Sequence, residues 1–181
     1  LRNRFDYPLS AKYDESDAMV LCDNVFVPWE KVFVHDNAEM SRAIYVETPS
    51  HAMGNHQSNI RFWAKMQLIT GVLSRITESS GNNQIPAVAD QLGRMAALEA
   101  TLGGMIHGQI EGAEDWPQAA HGGADEYVTI NRRYMYAALN WCTENYSMVI
   151  EMLRELMGGG VFQMPADVSV MGNPELREKF E

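Results

Sequence analysis

Three apolar stripes, each stepping by alternate fours and threes, restrict most of this chain to long helices packed side by side. Phe62, Met66, Ile69, Leu73 and Ile76 form the first, in a helical run that the spacing starts at about residue 57 and Ser79-Ser80-Gly81-Asn82-Asn83 ends. Val88, Leu92, Met95, Leu98, Leu102 and Met105 form the second, opening near Pro86 and fading around Gly112. Met135, Leu139, Cys142, Tyr146, Val149, Leu153 and Leu156 form the third, which Gly158-Gly159-Gly160 stops. A loop rich in helix breakers, from Asp115-Trp116-Pro117 to His121-Gly122-Gly123, separates the last two. Three such helices bury their stripes most simply as an antiparallel bundle. Gly103, Gly104 and Gly108 sit inside the second run, where each costs about 1 kcal/mol relative to Ala. Close approach of a neighbouring helix offsets that cost, and a ligand edge is the second explanation.

The first forty residues have a different texture. Ala18-Met19-Val20-Leu21, Val25-Phe26-Val27 and Val32-Phe33-Val34 are short apolar runs broken by Asp23-Asn24 and Pro28-Trp29-Glu30, the pattern of consecutive strands. Three short strands cannot bury both faces alone, so they are expected at the edge of a larger sheet. With Leu rather than Met at position 1, the chain reads as a piece of something longer. At the other end, Asn173-Pro174 is a cap followed by a first-turn residue, predicting a short helix from Pro174 to Phe180.

Composition narrows the function classes. Of 181 residues, 46% are hydrophobic and 21% charged, enough for a buried core and unlike a disordered segment. Fourteen Lys and Arg against 24 Asp and Glu give a net charge of −10, so nucleic acid and anionic membranes are unsuitable partners. No apolar run approaches the roughly 18–20 residues that span a bilayer, and the expectation is a soluble, cytoplasmic protein. Cys22 and Cys142 lack the spacing of a zinc site or a disulfide framework, and no His pair shows zinc-protease spacing, so no metal is expected. Gly158-Gly159-Gly160 follows a helix rather than a strand and is not a dinucleotide fingerprint.

One dense polar constellation remains, from Thr48-Pro49-Ser50-His51 through Asn55-His56-Gln57-Ser58-Asn59 to Arg61, where strand texture gives way to helix. An N-terminus with free backbone donors favours anions and phenolate-like oxygens there. The competing account makes Asn55 or Ser58 a cap, His56 a satisfied polar residue and Arg61 a solvated charge. Spacing leaves both open.

Other residues carry a resemblance. Phe5-Asp6-Tyr7-Pro8-Leu9-Ser10, Tyr13-Asp14-Glu15-Ser16-Asp17-Ala18 and Asp23-Asn24-Val25-Phe26-Val27-Pro28-Trp29-Glu30-Lys31-Val32 closely resemble the 4-hydroxyphenylacetate 3-hydroxylase family. The likeness continues through Gly54-Asn55-His56-Gln57, the bundle helices and residues 158–165. It implies a mostly α fold, an acyl-CoA dehydrogenase-like C-terminal helical bundle over 41–181, preceded over 1–40 by the last strands of a middle β domain. The family's N-terminal part is not in this sequence. The implied activity is that of the oxygenase component of a two-component monooxygenase: FAD, reduced by a separate NAD(P)H:flavin reductase, and O2 place oxygen on a phenolic ring. The implied assembly is a homotetramer.

Within the family, Gly54-Asn55-His56-Gln57 is similar to the branch acting on chlorinated, nitro or simple phenols, in which a histidine at the place of His56 contacts the phenol oxygen. The resemblance therefore implies His56 as catalytic and substrate-binding residue, drawing the phenol toward phenolate. Full transfer from a phenol of pKa near 10 to an imidazole near 6.5 is uphill by about 5 kcal/mol. Acidic chloro- and nitrophenols narrow that gap. Arg61 is the candidate for the flavin pyrophosphate, with Gln57 and Asn55 as further cofactor-binding candidates. Hydroxylation, dehalogenation and denitration stay equally open. Two alternatives are a non-catalytic helical oligomerisation module and a 4-hydroxybutyryl-CoA dehydratase-like lyase, whose iron–sulfur cluster needs more cysteines than Cys22 and Cys142 supply.

Overall fold

The computed structural model of the chain describes residues 4–13, 18–115, 128–159, 165 and 167–180. These contain helices α1 (Pro8–Tyr13), α2 (Ala38–Val46), α3 (Ser50–Ser79), α4 (Pro86–Glu111), α5 (Arg132–Met157) and α6 (Pro174–Phe180). A two-stranded ribbon pairs β1 (Glu114–Asp115) with β2 (Val128–Thr129), Glu114 opposite Thr129 and Asp115 opposite Val128. Two compact units result, one spanning Phe33–Gly158 and the other formed by Leu1–Val32 together with Gly159–Glu181.

In the larger unit α3, α4 and α5 each pack against the other two. The start of α3 lies beside the end of α4, where His56 meets Gln109, and the start of α4 lies beside the end of α5, where Gln91 donates to Glu155. Both neighbouring pairs are thus antiparallel. Met66, Ile69 and Leu73 of α3, Met95, Leu102 and Ile106 of α4, and Ala138, Val149 and Met152 of α5 form the main core. A smaller cluster of Ala52, Ile130 and Met135 closes the end where α3 begins.

Sequence signals explain the helix boundaries. Pro86 opens α4 in the first turn, where its missing N–H is no loss. The Asn131 side chain accepts from Tyr134 N to cap α5, and Gly158, at φ 64°, ends it in a left-handed conformation that a side chain rarely adopts. Asn173 accepts from Glu175 N and Leu176 N at the start of α6, which spans the expected residues.

The structure departs from several local expectations, and the runs over 18–34, expected at the edge of a larger sheet, have no described partner strand to pair with. The apolar runs over 18–34 form no ladder among the described residues: 18–28 is irregular, and a single 3-10 turn occupies Trp29–Lys31. A strand's N–H and C=O groups need a neighbouring strand, and no described strand stands beside these. Met19, Leu21 and Phe26 are consequently more than four-fifths exposed. Helix α2, capped by Asn37 accepting from Met40 N, lies where no helix was expected. The first bundle helix begins at Ser50 rather than at about 57, adding two turns. The α5 stripe is rotated by one residue at three positions: Ala138 is buried while Leu139 is only half-buried, Tyr146 is exposed beside the half-buried Asn145, and Met152 is buried while Leu153 is half-buried.

The helical glycines divide. A Cβ on buried Gly103 would lie 3.0 Å from the Trp63 ring of α3, the close helix approach that was expected. Gly104 faces open space, and its place in the helix has no such explanation. His121 and most of the breaker-rich loop lie outside the described residues. No described helix is long and apolar enough to cross a membrane.

Candidate functional site

The α3 stripe does not stop at Phe62. Stepping back by threes and fours from Met66 reaches Asn59, His56 and Ala52, all buried, so two polar side chains occupy core register positions at one end of the bundle. The α4 stripe does the same: Leu102 and Ile106 lead to Gln109, which has no exposed surface. Thr129 of β2 is buried as well.

Their hydrogen bonds define the layer. His56 Nδ1 lies 2.7 Å from Gln109 Oε1. Asn59 Nδ2 donates to the Met135 carbonyl at 3.1 Å, and Asn131 N donates to the Gln109 carbonyl at 2.8 Å, joining all three bundle helices at this level. Among the described residues Asn59 Oδ1, Gln109 Nε2 and Thr129 Oγ1 have no partner. A buried unpaired polar atom costs about 1–3 kcal/mol, so Asn59 Oδ1 and Gln109 Nε2, on two side chains of this layer, are available to a further polar group.

A second, shallower group lies on the neighbouring flank of α3. His51 Nε2 is 2.8 Å from Tyr136 Oη of α5, and the Tyr45 ring of α2 meets the His51 ring edge-on at 5.0 Å. Asn55 Nδ2 donates to the His51 carbonyl at 2.9 Å.

The four candidates thus separate. His56 is buried against α4, seven residues into α3 rather than at its N-terminus, so the helix-end argument does not apply to it. Asn55 is half-buried and turned to His51, and neither it nor Ser58 caps the helix, whose N-cap is Pro49. Gln57 and Arg61, four residues apart, share one exposed strip of α3. The site gains Gln109 and Asn59, to which the sequence reading assigned no role. Their signal was a polar residue at an apolar register position, visible once each stripe is extended by one step.

The layer's chemistry follows from its donors. Gln109 Oε1 can only accept, so a hydrogen bond at this distance is made by the tautomer that carries its proton on His56 Nδ1, which has its lone pair at Nε2. No hydrogen bond from a described residue reaches Nε2 of this ring, which is therefore equipped to accept from a hydroxyl. Concavities elsewhere, around Ser169 to Glu175 and along Tyr146 to Arg154 of α5, include none of the four candidates. Among the described residues no three His, Cys, Asp or Glu side chains are grouped to hold a metal; Cys22 is exposed and Cys142 half-buried, and both are free thiols.

Comparison with known proteins places the chain in a family. Residues 41–181 match the family described as 4-hydroxyphenylacetate 3-hydroxylase C terminal, and residues 1–34 match 4-hydroxyphenylacetate 3-hydroxylase N terminal. The 4-hydroxyphenylacetate 3-monooxygenase oxygenase component of Pseudomonas aeruginosa is 26% identical over 95% of this chain and 32% of its own length. The 4-nitrophenol 2-monooxygenase oxygenase component of a Rhodococcus species is 26% identical over 96% of this chain and again 32% of its own. The crystal structure of a 4-hydroxyphenylacetate 3-monooxygenase oxygenase component complexed with FAD and 4-hydroxyphenylacetate superposes with a TM-score of 0.77 at 25% identity, over 98% of this chain and 36% of that one. This chain spans about a third of the length of these relatives. With a mostly helical fold that matches theirs and family matches that together cover nearly all of its length, the chain belongs to the 4-hydroxyphenylacetate 3-hydroxylase family.

Proposed function

We propose that this chain supplies the C-terminal part of the oxygenase component of a two-component flavin monooxygenase acting on a phenolic substrate, with His56 receiving the phenol hydroxyl. The observation that carries the proposal is the buried His56 ring, with Nδ1 2.7 Å from Gln109 Oε1 and no described residue hydrogen-bonded to Nε2. A phenol O–H donating to that nitrogen gains electron density on its ring, which oxygen transfer to a ring carbon needs. The 4-nitrophenol enzyme among the relatives supports an acidic phenol, for which the proton affinity gap to imidazole is smallest. Hydroxylation is the reaction proposed; loss of a halogen or nitro group is the outcome where oxygen enters at a substituted carbon.

FAD fits the donor set of this chain at Gln57 and Arg61, whose amide and guanidinium share the exposed strip of α3 and suit the flavin's polar edge or pyrophosphate. Asn55, whose amide donates to the His51 carbonyl on the neighbouring flank, is the third cofactor candidate. When bound and reduced by a separate NAD(P)H:flavin reductase, FAD supplies the reaction of O2. A homotetramer in the cytoplasm completes the proposal.

The test is His56→Ala in the enzyme that contains this chain, followed by equilibrium phenol titration. Loss of a buried hydrogen bond weakens binding by about 1–3 kcal/mol. Unchanged phenol affinity and turnover would remove His56 from the site. A non-catalytic oligomerisation module would instead bind neither flavin nor phenol, whatever stands at position 56.

A further inference from the structure

The geometry points to Gln109 as a positioning residue that sets which nitrogen of His56 faces the substrate, an inference that rests on the phenol reading of the site. A neutral imidazole carries one proton, and the nitrogen that holds it decides whether the other can take a second. With the proton on Nε2 the ring could only donate to a phenol oxygen. With it on Nδ1 the ring accepts the phenol O–H at Nε2. The phenol proton then moves toward Nε2, and on full transfer the electron pair of the broken O–H bond stays on the phenolate oxygen.

Three observations assign that choice to Gln109. Its Oε1 lies 2.7 Å from Nδ1 and, as an acceptor, requires the proton there. Its backbone is fastened at the end of α4 by the Asn131 N–H, at 2.8 Å, so the carboxamide is presented from a fixed point. Its side chain has no exposed surface, yet its Nε2 has no partner among the described residues. A residue kept only for packing would be apolar here, as Met95, Leu102 and Ile106 are earlier along the same stripe. The amide is neutral, so it orients the ring without adding a charge that would hold His56 as imidazolium.

The test reads the tautomer directly. The chain is labelled with 15N-histidine, and long-range 1H–15N spectra are recorded at a pH where His56 is neutral, with His56→Ala identifying its signals. The wild-type ring is expected as the Nδ1–H tautomer. Gln109→Met, which keeps the volume and removes the acceptor, is expected to shift it toward Nε2–H, and Gln109→Glu, which keeps an acceptor, to leave Nδ1 protonated. A wild-type ring protonated at Nε2 overturns the inference without any variant having to fold, and so does an unchanged Nδ1–H tautomer in Gln109→Met.

Binding supplies the second arm, in the enzyme that contains this chain. Gln109→Met is expected to weaken a phenol by about fivefold or more while leaving its methyl ether, which has no proton to donate, unaffected. Equal weakening of both ligands overturns the positioning role in favour of a packing role. Phenol loss in His56→Ala without loss in Gln109→Met overturns this inference and leaves the phenol reading standing. Unchanged phenol binding in His56→Ala overturns the phenol reading and, with it, this use of the tautomer.

Discussion

Alanine at two adjacent glycines of α4 should shift stability in opposite directions. In an exposed helix interior Gly→Ala stabilises by about 0.5–1 kcal/mol through the unfolded chain and intrinsic propensity. Gly104 is exposed and a Cβ there would meet no atom within 4 Å, so Gly104→Ala receives the whole gain. At buried Gly103 the new Cβ would lie 3.0 Å from Trp63 Cε2 and Nε1 and 3.1 Å from Cζ2, closer than carbon atoms rest without repulsion. The indole has little room to yield: its Nε1–H donates to Glu99 Oε1, and the His107 ring meets it edge-on at 5.7 Å. Overpacking of this kind costs about 1–3 kcal/mol, and a displaced hydrogen bond to a carboxylate adds about 1.5–3 kcal/mol. Set against the same helical gain of about 0.5–1 kcal/mol, Gly103→Ala should lose about 1.5–5.5 kcal/mol net, and the two variants should differ by about 2.5–6 kcal/mol. Urea unfolding of the chain, followed by far-ultraviolet circular dichroism, gives both values on one scale. A Gly103→Ala protein as stable as Gly104→Ala would refute the claim that the α3–α4 approach requires glycine.

Two further outcomes follow from charge and burial. The side-chain hydrogen bond from Arg132, at 2.6 Å, holds the Glu114 carboxyl below its ordinary value of 4.5 against a smaller opposing effect of burial, so its contribution to stability is present above that value and lost as pH falls through the lowered one. The stability gap between wild type and Glu114→Gln should therefore close as the solution is acidified below pH 4.5, and a gap that persists undiminished into acid would contradict the pairing. Burial pushes the Cys142 thiol up to about 11, against 9.0 for an ordinary one, lowering its thiolate fraction at pH 8 by about a hundredfold. Iodoacetamide followed by peptide mass spectrometry should modify the exposed Cys22 well before Cys142, and equal rates would show α5 to be less tightly packed than described.

The three bundle helices, their order and several of their ends were legible from local rules. Pro86, Asn173 and Gly158 act on their own backbone: Pro lacks an N–H, Asn offers a capping oxygen, and Gly accepts φ 64°. These effects reach no further than a few residues, so the sequence contains them in full. The face each helix buries was less legible. Leu139 and Ala138 both fit an apolar stripe, and the rotation that buries Ala138 is decided by the helices packed beside α5. The apolar runs over 18–34 show a related dependence, since strand character is realised only when another strand supplies the ladder, and no described strand pairs with them.

At the candidate site the division is sharper. From its own residues the chain determined a polar segment from 48 to 61 with a histidine at position 56, and its resemblance to a family suggested what that histidine is for. Only the tertiary structure decided that His56 faces inward and meets Gln109, 53 residues later in the chain. A hydrogen bond between helices depends on crossing position and rotation together, and neither is a property of any local stretch of sequence. The pairing that would hold a proton on Nδ1 and leave Nε2 free therefore exists only once α3 and α4 pack.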